Sequence, residues 1–239
     1  MSLLTILQAL EARQRAIHTP YFVPGLWTHS GSQPDHVAAV QVNPYTFYHQ
    51  LLAPILQRDP QPLVQGAGGE WSRRAIVYSL FPRVMTAFDH DGDDQIRIGA
   101  NNEGWRETGT LLKSMALLPY IREMGFNTVH LLPITAIGRD GRKGALGSPY
   151  AIRNPYALDE SLDEPALGLS AYQLFKGFVD AAHRLGLRVV TEFVLRTAAK
   201  DSDWIPEHPD WFYWIRADIP DRAPHLGRTG ALHSYGQPI

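Results

Sequence analysis

The stretch VVTEFVLRTAAKDSDWIPEHPDWFYWI, Val189 to Ile215, gathers charged and aromatic groups in an order that suits a site. Glu192 interrupts an apolar, β-prone run, and Arg196 follows four residues later. Charges at the end of a buried strand need partners, so the two are expected to pair, either in a site or as a structural ion pair. Asp201 and Asp203 precede a possible helical turn, where an acidic residue is a common cap. Trp204, Trp211, Phe212, Tyr213 and Trp214 then form a dense aromatic group, read as a hydrophobic plug or a ligand platform. A second acidic stretch, FDHDGDD from Phe88 to Asp94, invites a calcium reading because hard cations want several oxygens. The EF-hand spacing fails there, with Asp94 at the glycine position and Ala100 at the glutamate position, so a solvated acidic loop is expected. His130 lies inside a strand-like run and reads as a packed core histidine. The ten histidines show no metal spacing, and neither metal nor cofactor is expected.

The elements that must hold these residues follow from periodicity. The 239 residues carry 44% hydrophobic and 19% charged residues and a formal net charge of -2, an ordinary globular composition with no basic excess for nucleic acid. The absence of cysteine excludes disulfides and thiolate metal sites. Leu3, Leu4, Leu7 and Leu10 fall at helical spacing, and MSLLTILQALEARQRA lacks the basic start and cleavage site of a signal peptide. No run approaches a membrane span, so a cytoplasmic location is expected. A second helix is predicted from Pro44 to Gln57, and RDPQPLVQGAGGE reads as a linker. Buried strands are expected near 75–81, 126–133 and 187–195. Helices are expected from Glu107 to Met124, kinked or split at Pro119, and over LSAYQLFKGFVDAAHRLG. Residues 134–169 read as one long loop. The strand, helix, strand, helix, strand order implies a parallel sheet with helical crossovers and a site at the strands' carboxyl ends.

The series IVYSLFPR, GTLLKSMALLPYIREMGFNTVHLLPI, SPYAIRNPYALDE and GLRVVTEFVLRTAAKDSDWIPEHPDWF resembles the start of the catalytic barrel in the α-amylase family of glycoside hydrolases and transglycosylases. Within that family RTAAKDSDWIPEHPDWFYWI is similar to bacterial maltosyltransferases over its whole length. The resemblance implies an α/β fold, the N-terminal portion of a (β/α)8 barrel. About three βα units would occupy 71–239, preceded by a small, mostly helical extension over 1–70. It also implies retaining transfer of maltosyl units between α-1,4-glucans. Family members use three carboxylates after the fourth, fifth and seventh strands, so the catalytic trio is expected beyond Ile239 and the chain alone is expected to be inactive.

By the same resemblance Tyr150 stacks on the sugar at the cleavage subsite, or packs as a loop tyrosine on the barrel. Glu192, Arg196 and Thr197 stand where most of the family has Asp, Asn and His beside the scissile bond, and Asp201 can contact sugar or cap. Glu192 departs from the usual Asp by one methylene. The partners implied are an α-1,4-glucan or malto-oligosaccharide and no membrane. The alternative is a non-catalytic or split-enzyme chain that binds glucan, a complementing C-terminal chain or a copy of itself. Three parallel strands would leave two open edges where a closed barrel has none.

Overall fold

The computed structural model describes residues 2–14, 17–28 and 39–212. In chain order the elements are α1 (Ser2–Ala12), β1 (Phe22–Pro24), α2 (Gly25–Thr28), β2 (Ala39–Gln41) and α3 (Pro44–Leu56). Next come β3 (Val77–Leu80), α4 (Pro82–Met85), α5 (Leu111–Glu123), β4 (Thr128–Leu131) and β5 (Thr135–Ile137). β6 (Ile152–Leu158), α6 (Ala171–Arg184) and β7 (Arg188–Thr191) complete the series, with short 3-10 turns between. They form two compact units. The first joins Met1–Leu132 to Glu160–Glu192, and the second joins Pro133–Asp159 to Phe193–Ile239.

The first unit holds the parallel sheet, in the order β3-β4-β7. Ser79 pairs with His130, and His130 with Val190, so the three side chains share one face. Leu80, Val129 and Leu131 are buried. The crossovers are α5 and α6, as the alternating pattern predicts. Thr110 caps α5 by accepting from the Lys113 N–H at 3.3 Å. Ser170 and Gln173 make a reciprocal capping box on α6. Gly125 and Gly186 end the two helices at φ 92° and 72°, a conformation that costs glycine nothing. The first 70 residues also pack in this unit. Leu3, Ile6, Leu7 and Leu10 are buried, and the Leu3 N–H donates to Asp180 of α6 at 3.1 Å.

Several expectations are corrected. The strands are shorter than the apolar runs, because pairing stops at Leu80, Leu131 and Thr191. Phe193 and Leu195 lie past the strand and are exposed. Only β4, the central strand, is buried as expected. β3 is an edge with Val77 and Ser79 exposed, and β7 is half-buried throughout. α5 is one helix across Pro119 and is not split there. The mostly helical start also contains an antiparallel pair, β1 with β2. The segment expected as one loop carries a hairpin, β5 with β6, which is the framework of the second unit.

Candidate functional site

In the first unit the carboxyl end of the sheet carries a polar row. Ser79 Oγ lies 3.2 Å from His130 Nδ1, and His130 Nε2 lies 3.8 Å from Glu192 Oε2. Each residue comes from, or directly follows, a different strand of β3-β4-β7. The Glu192 N–H donates to the Leu131 carbonyl at 2.9 Å, extending the ladder one step past β7. His130 is therefore not a packed core residue. Val129 and Leu131 point into the core, so strand alternation turns His130 to the opposite face. That alternation, present in TVHL, was the signal available in the sequence. Arg196, the expected partner of Glu192, is exposed.

The second unit brings together Tyr150, Thr197 and Asp201. Thr197 Oγ1 donates to the Tyr150 carbonyl at 3.1 Å, which joins the hairpin's turn to the loop after the third strand. The Tyr150 side chain is partly exposed. Asp201 caps no helix of its own, because residues 201–207 form turns. Instead its Oδ2 accepts the N–H groups of Arg139 at 2.7 Å and Asp140 at 3.1 Å. Burial would raise the Asp201 carboxyl, but these backbone donors outweigh it and hold the group below its usual range. Asp203 accepts from Asn154 Nδ2 at 2.9 Å and lies 3.6 Å from Arg153. Both acids fasten the loop to the hairpin.

The aromatic group is not buried. Tyr156 is 87% exposed and Trp211 59% exposed. Trp204 sits edge-on to both, with ring centroids 5.8 and 5.7 Å away. Of the group named from the sequence, Trp211 is exposed while Trp204 and Phe212 are half-buried, so these three are not a fully buried plug. Tyr213 and Trp214 lie outside the described residues.

Among the described residues the carboxylates of Asp89, Asp91 and Glu107 are close enough to share a metal ion. Arg97 already occupies that charge. Its guanidinium bonds Asp91 and Asp93, and its N–H donates to Glu107 at 2.6 Å. The loop is therefore ordered around an arginine rather than merely solvated. The Asp89 carboxylate accepts three backbone N–H groups, from Gly92, Asp93 and Asp94.

The chain thus comprises a parallel βα unit with polar side chains at the carboxyl end of its sheet and, as a separate unit, a hairpin carrying exposed rings. Residues 106–234, just over half of the chain, match the family model described as the glucanotransferase domain of glycogen debranching enzyme, and the chain belongs to that family, a branch of the α-amylase family. It is similar to the alpha-1,4-glucan:maltose-1-phosphate maltosyltransferase of Cereibacter sphaeroides, 38% identical over 116 residues, covering 44% of this chain and 19% of that protein. The protein of that activity numbered 1 in Streptomyces coelicolor is 31% identical over 189 residues, covering 72% and 24%. A solved α-amylase from Lactobacillus plantarum is 32% identical with a TM-score of 0.44, covering 61% of this chain and 28% of that one. The chain spans about a fifth of the length of the curated relatives it matches. No helix among the described residues is long and apolar enough to cross a membrane.

Proposed function

We propose that this chain is the glucan-holding first part of a (β/α)8 enzyme that transfers maltosyl units between α-1,4-glucans with retention. The observation that carries the reading is the bond from Thr197 to the Tyr150 carbonyl. It unites two segments, 47 residues apart, that the family resemblance assigns independently to sugar contact. An aromatic ring suits the apolar C–H face of a pyranose, and its hydroxyl offers a polar contact. Each unit contributes by itself: in the first, Glu192, 3.8 Å from His130, accepts sugar hydroxyls, and in the second, Arg196 donates to sugar oxygens. These residues hold the sugar; they do not attack it. In a retaining enzyme one carboxylate attacks the anomeric carbon while a carboxylic acid protonates the leaving oxygen. The glycosyl-enzyme then passes to a sugar acceptor instead of water, and no cofactor is needed.

The test is incubation of the protein with maltotetraose, with products resolved by chain length. This chain alone is expected to bind maltotetraose without converting it, and Tyr150→Ala is expected to weaken that binding about tenfold, the scale of one aromatic contact. Glucose steps alone would overturn maltosyl transfer, and no binding of the glucan would overturn the whole reading. A second reading, a non-catalytic glucan-binding subunit that pairs with a complementing chain or its own copy, is favoured by the sheet edge. β3 is an outer strand among the described residues, with Ile76 and Val77 exposed at its start. Concentration-dependent sedimentation, removed by Val77→Lys, would support it.

A further inference from the structure

We propose that Tyr156, Trp204 and Trp211 form a second glucan-contacting surface, distinct in its residues from Tyr150 and Thr197 and resting on the reading of the chain as a glucan-binding protein. The starting point is cost. Rings as large as Tyr156 and Trp211 are rarely left in water without a use, and here they adjoin each other through Trp204. The rings are also fixed. Trp204 lies at 69° to Tyr156 and at 80° to Trp211, the edge-to-face arrangement that aromatic pairs prefer. His208 stacks on Trp211 at 3.9 Å and 8°. The backbone holds the same group, with the His208 N–H donating to the Trp204 carbonyl at 2.8 Å and the Trp211 N–H to the His208 carbonyl at 3.1 Å. The Tyr156 N–H donates to Asn154 Oδ1 at 2.8 Å. A surface ordered in advance loses little entropy when it binds.

The chemistry selects the occupant. A pyranose offers an apolar C–H face bordered by hydroxyls, and it needs a ring beside short polar groups. Asn154, two residues before Tyr156, and Asp203, next to Trp204, are bonded to each other at 2.9 Å and supply an amide and a carboxylate. The ring-bearing side chains of the group are all aromatic, whereas aliphatic anchors would be expected on a surface for an amphipathic helix. Asp203, Glu207 and Asp210 make the surroundings acidic, which disfavours a polyanion such as nucleic acid. Continuity supplies the last argument. Tyr156 sits on β6, the strand that leaves the Tyr150 turn, and Asp203 follows Asp201 in the loop that Thr197 begins. The same unit that carries the proposed sugar contacts therefore carries the aromatic surface. A glucan longer than the first contact can meet both.

The experiment follows the intact protein by electrophoretic retardation in gels containing glycogen, and by tryptophan fluorescence during titration with maltoheptaose. Tyr156→Ala and Trp211→Ala are expected to weaken retention about tenfold each, the scale of one lost aromatic contact, and Tyr156→Phe to keep it. Circular dichroism confirms that the variants fold, which the exposure of Tyr156 favours. Tyr150→Ala separates the two readings. If it abolishes maltotetraose binding while glycogen retention stays within about twofold, the second surface stands by itself. Retention unchanged in both Tyr156→Ala and Trp211→Ala overturns the proposal even if Tyr150 is confirmed. A change of sedimentation in Tyr156→Ala, with retention unchanged, would assign the surface to protein contact and overturn it equally.

Discussion

His90 illustrates what burial does to a single titratable group. It is 3% exposed, stacks on Tyr21 at 4.1 Å and bonds the Phe22 carbonyl through Nδ1 at 2.5 Å. Its Nε2 faces the Tyr21 hydroxyl at 3.3 Å, which is bonded in turn to Tyr48. Burial, reinforced by the positive charge of Lys113, pushes the imidazole down to about 2 from its ordinary 6.5. The sign follows from linkage. Below pH 6.5 the unfolded chain binds a proton that folded His90 refuses, so stability is complete above 6.5 and falls as the pH drops. The slope approaches about 1.4 kcal/mol per pH unit for one such group. His90→Phe keeps the stack and removes the proton site. It should cost about 1 kcal/mol at pH 7 for the lost hydrogen bond. Its urea midpoint should then fall less steeply than the parent's between pH 6.5 and 5. Equal slopes would mean that His90 is protonated in the folded protein. Glu192 and His130 show the opposite case, in which two polar groups on an open strand face keep each other company without deep burial. That is the disposition a binding site needs, because the groups remain available to a ligand.

Between elements, α1 fits closely against α6. A Cβ on Gly177 would meet Ile6 Cδ1 at 2.1 Å, and Ile6 is fully buried with nowhere to move. Alanine is intrinsically better than glycine in a helix by about 1 kcal/mol, so propensity and packing disagree here. Overpacking of this kind costs about 1–3 kcal/mol, and packing should win. Gly177→Ala is expected to be less stable than the parent in urea unfolding, and adding Ile6→Val, which removes the clashing methyl, should recover part of the loss. A Gly177→Ala protein more stable than the parent would show that α1 can yield. This contact was invisible in the sequence, where both helices were readable but their mutual face was not. The same division runs through the fold. The alternation of apolar runs and amphipathic stretches announced β3, α5, β4, α6 and β7 in order. Capping by Thr110 and Ser170 is local chemistry, and a sequence displays it. The β5–β6 hairpin escaped notice because its turn spans 14 residues, too long for a recognisable hairpin signal. Of the candidate site, Tyr150, Glu192 and Thr197 were readable as motif positions. His130 was legible only through the alternation in TVHL, and the exposure of Tyr156 and Trp211 depends on tertiary placement that no spacing encodes.

The molecule as a whole is threaded so that the first unit is interrupted by the hairpin of the second, Pro133–Asp159. Its two halves must therefore recognise each other across the insertion, and a buried charge pair does so. Lys113, on the near side, lies 3.8 Å from Glu164, on the far side, and both side chains are fully buried. Lys113 Nζ also donates to the Arg106 carbonyl and, at 2.9 Å, to that of Thr108. Glu164 accepts from Thr110 Oγ1 at 2.8 Å and from the Arg106 N–H at 3.0 Å, while Arg106 pairs with Asp163 at 2.8 Å. Burial is the main force that pushes the Lys113 ammonium down and the Glu164 carboxyl up; their mutual attraction opposes both shifts, and Lys113 comes to rest at about 8. Such a pair adds little net stability over apolar residues of the same volume, but losing one partner strands a charge, at a cost of about 3–5 kcal/mol. Glu164→Gln should approach that cost, because the amide keeps the shape and loses the charge. Lys113→Met with Glu164→Leu should be less damaging than Glu164→Gln alone, since nothing ionised is left in the core. Urea unfolding at pH 7 measures both. If Glu164→Gln lies within about 0.5 kcal/mol of the parent, the range of an unremarkable surface change, the pair does not clasp the two halves. If the double variant is the worse, the charges themselves hold the segments in register, and the polar links to Thr110, Arg106 and Thr108 are too weak to keep the halves together without them.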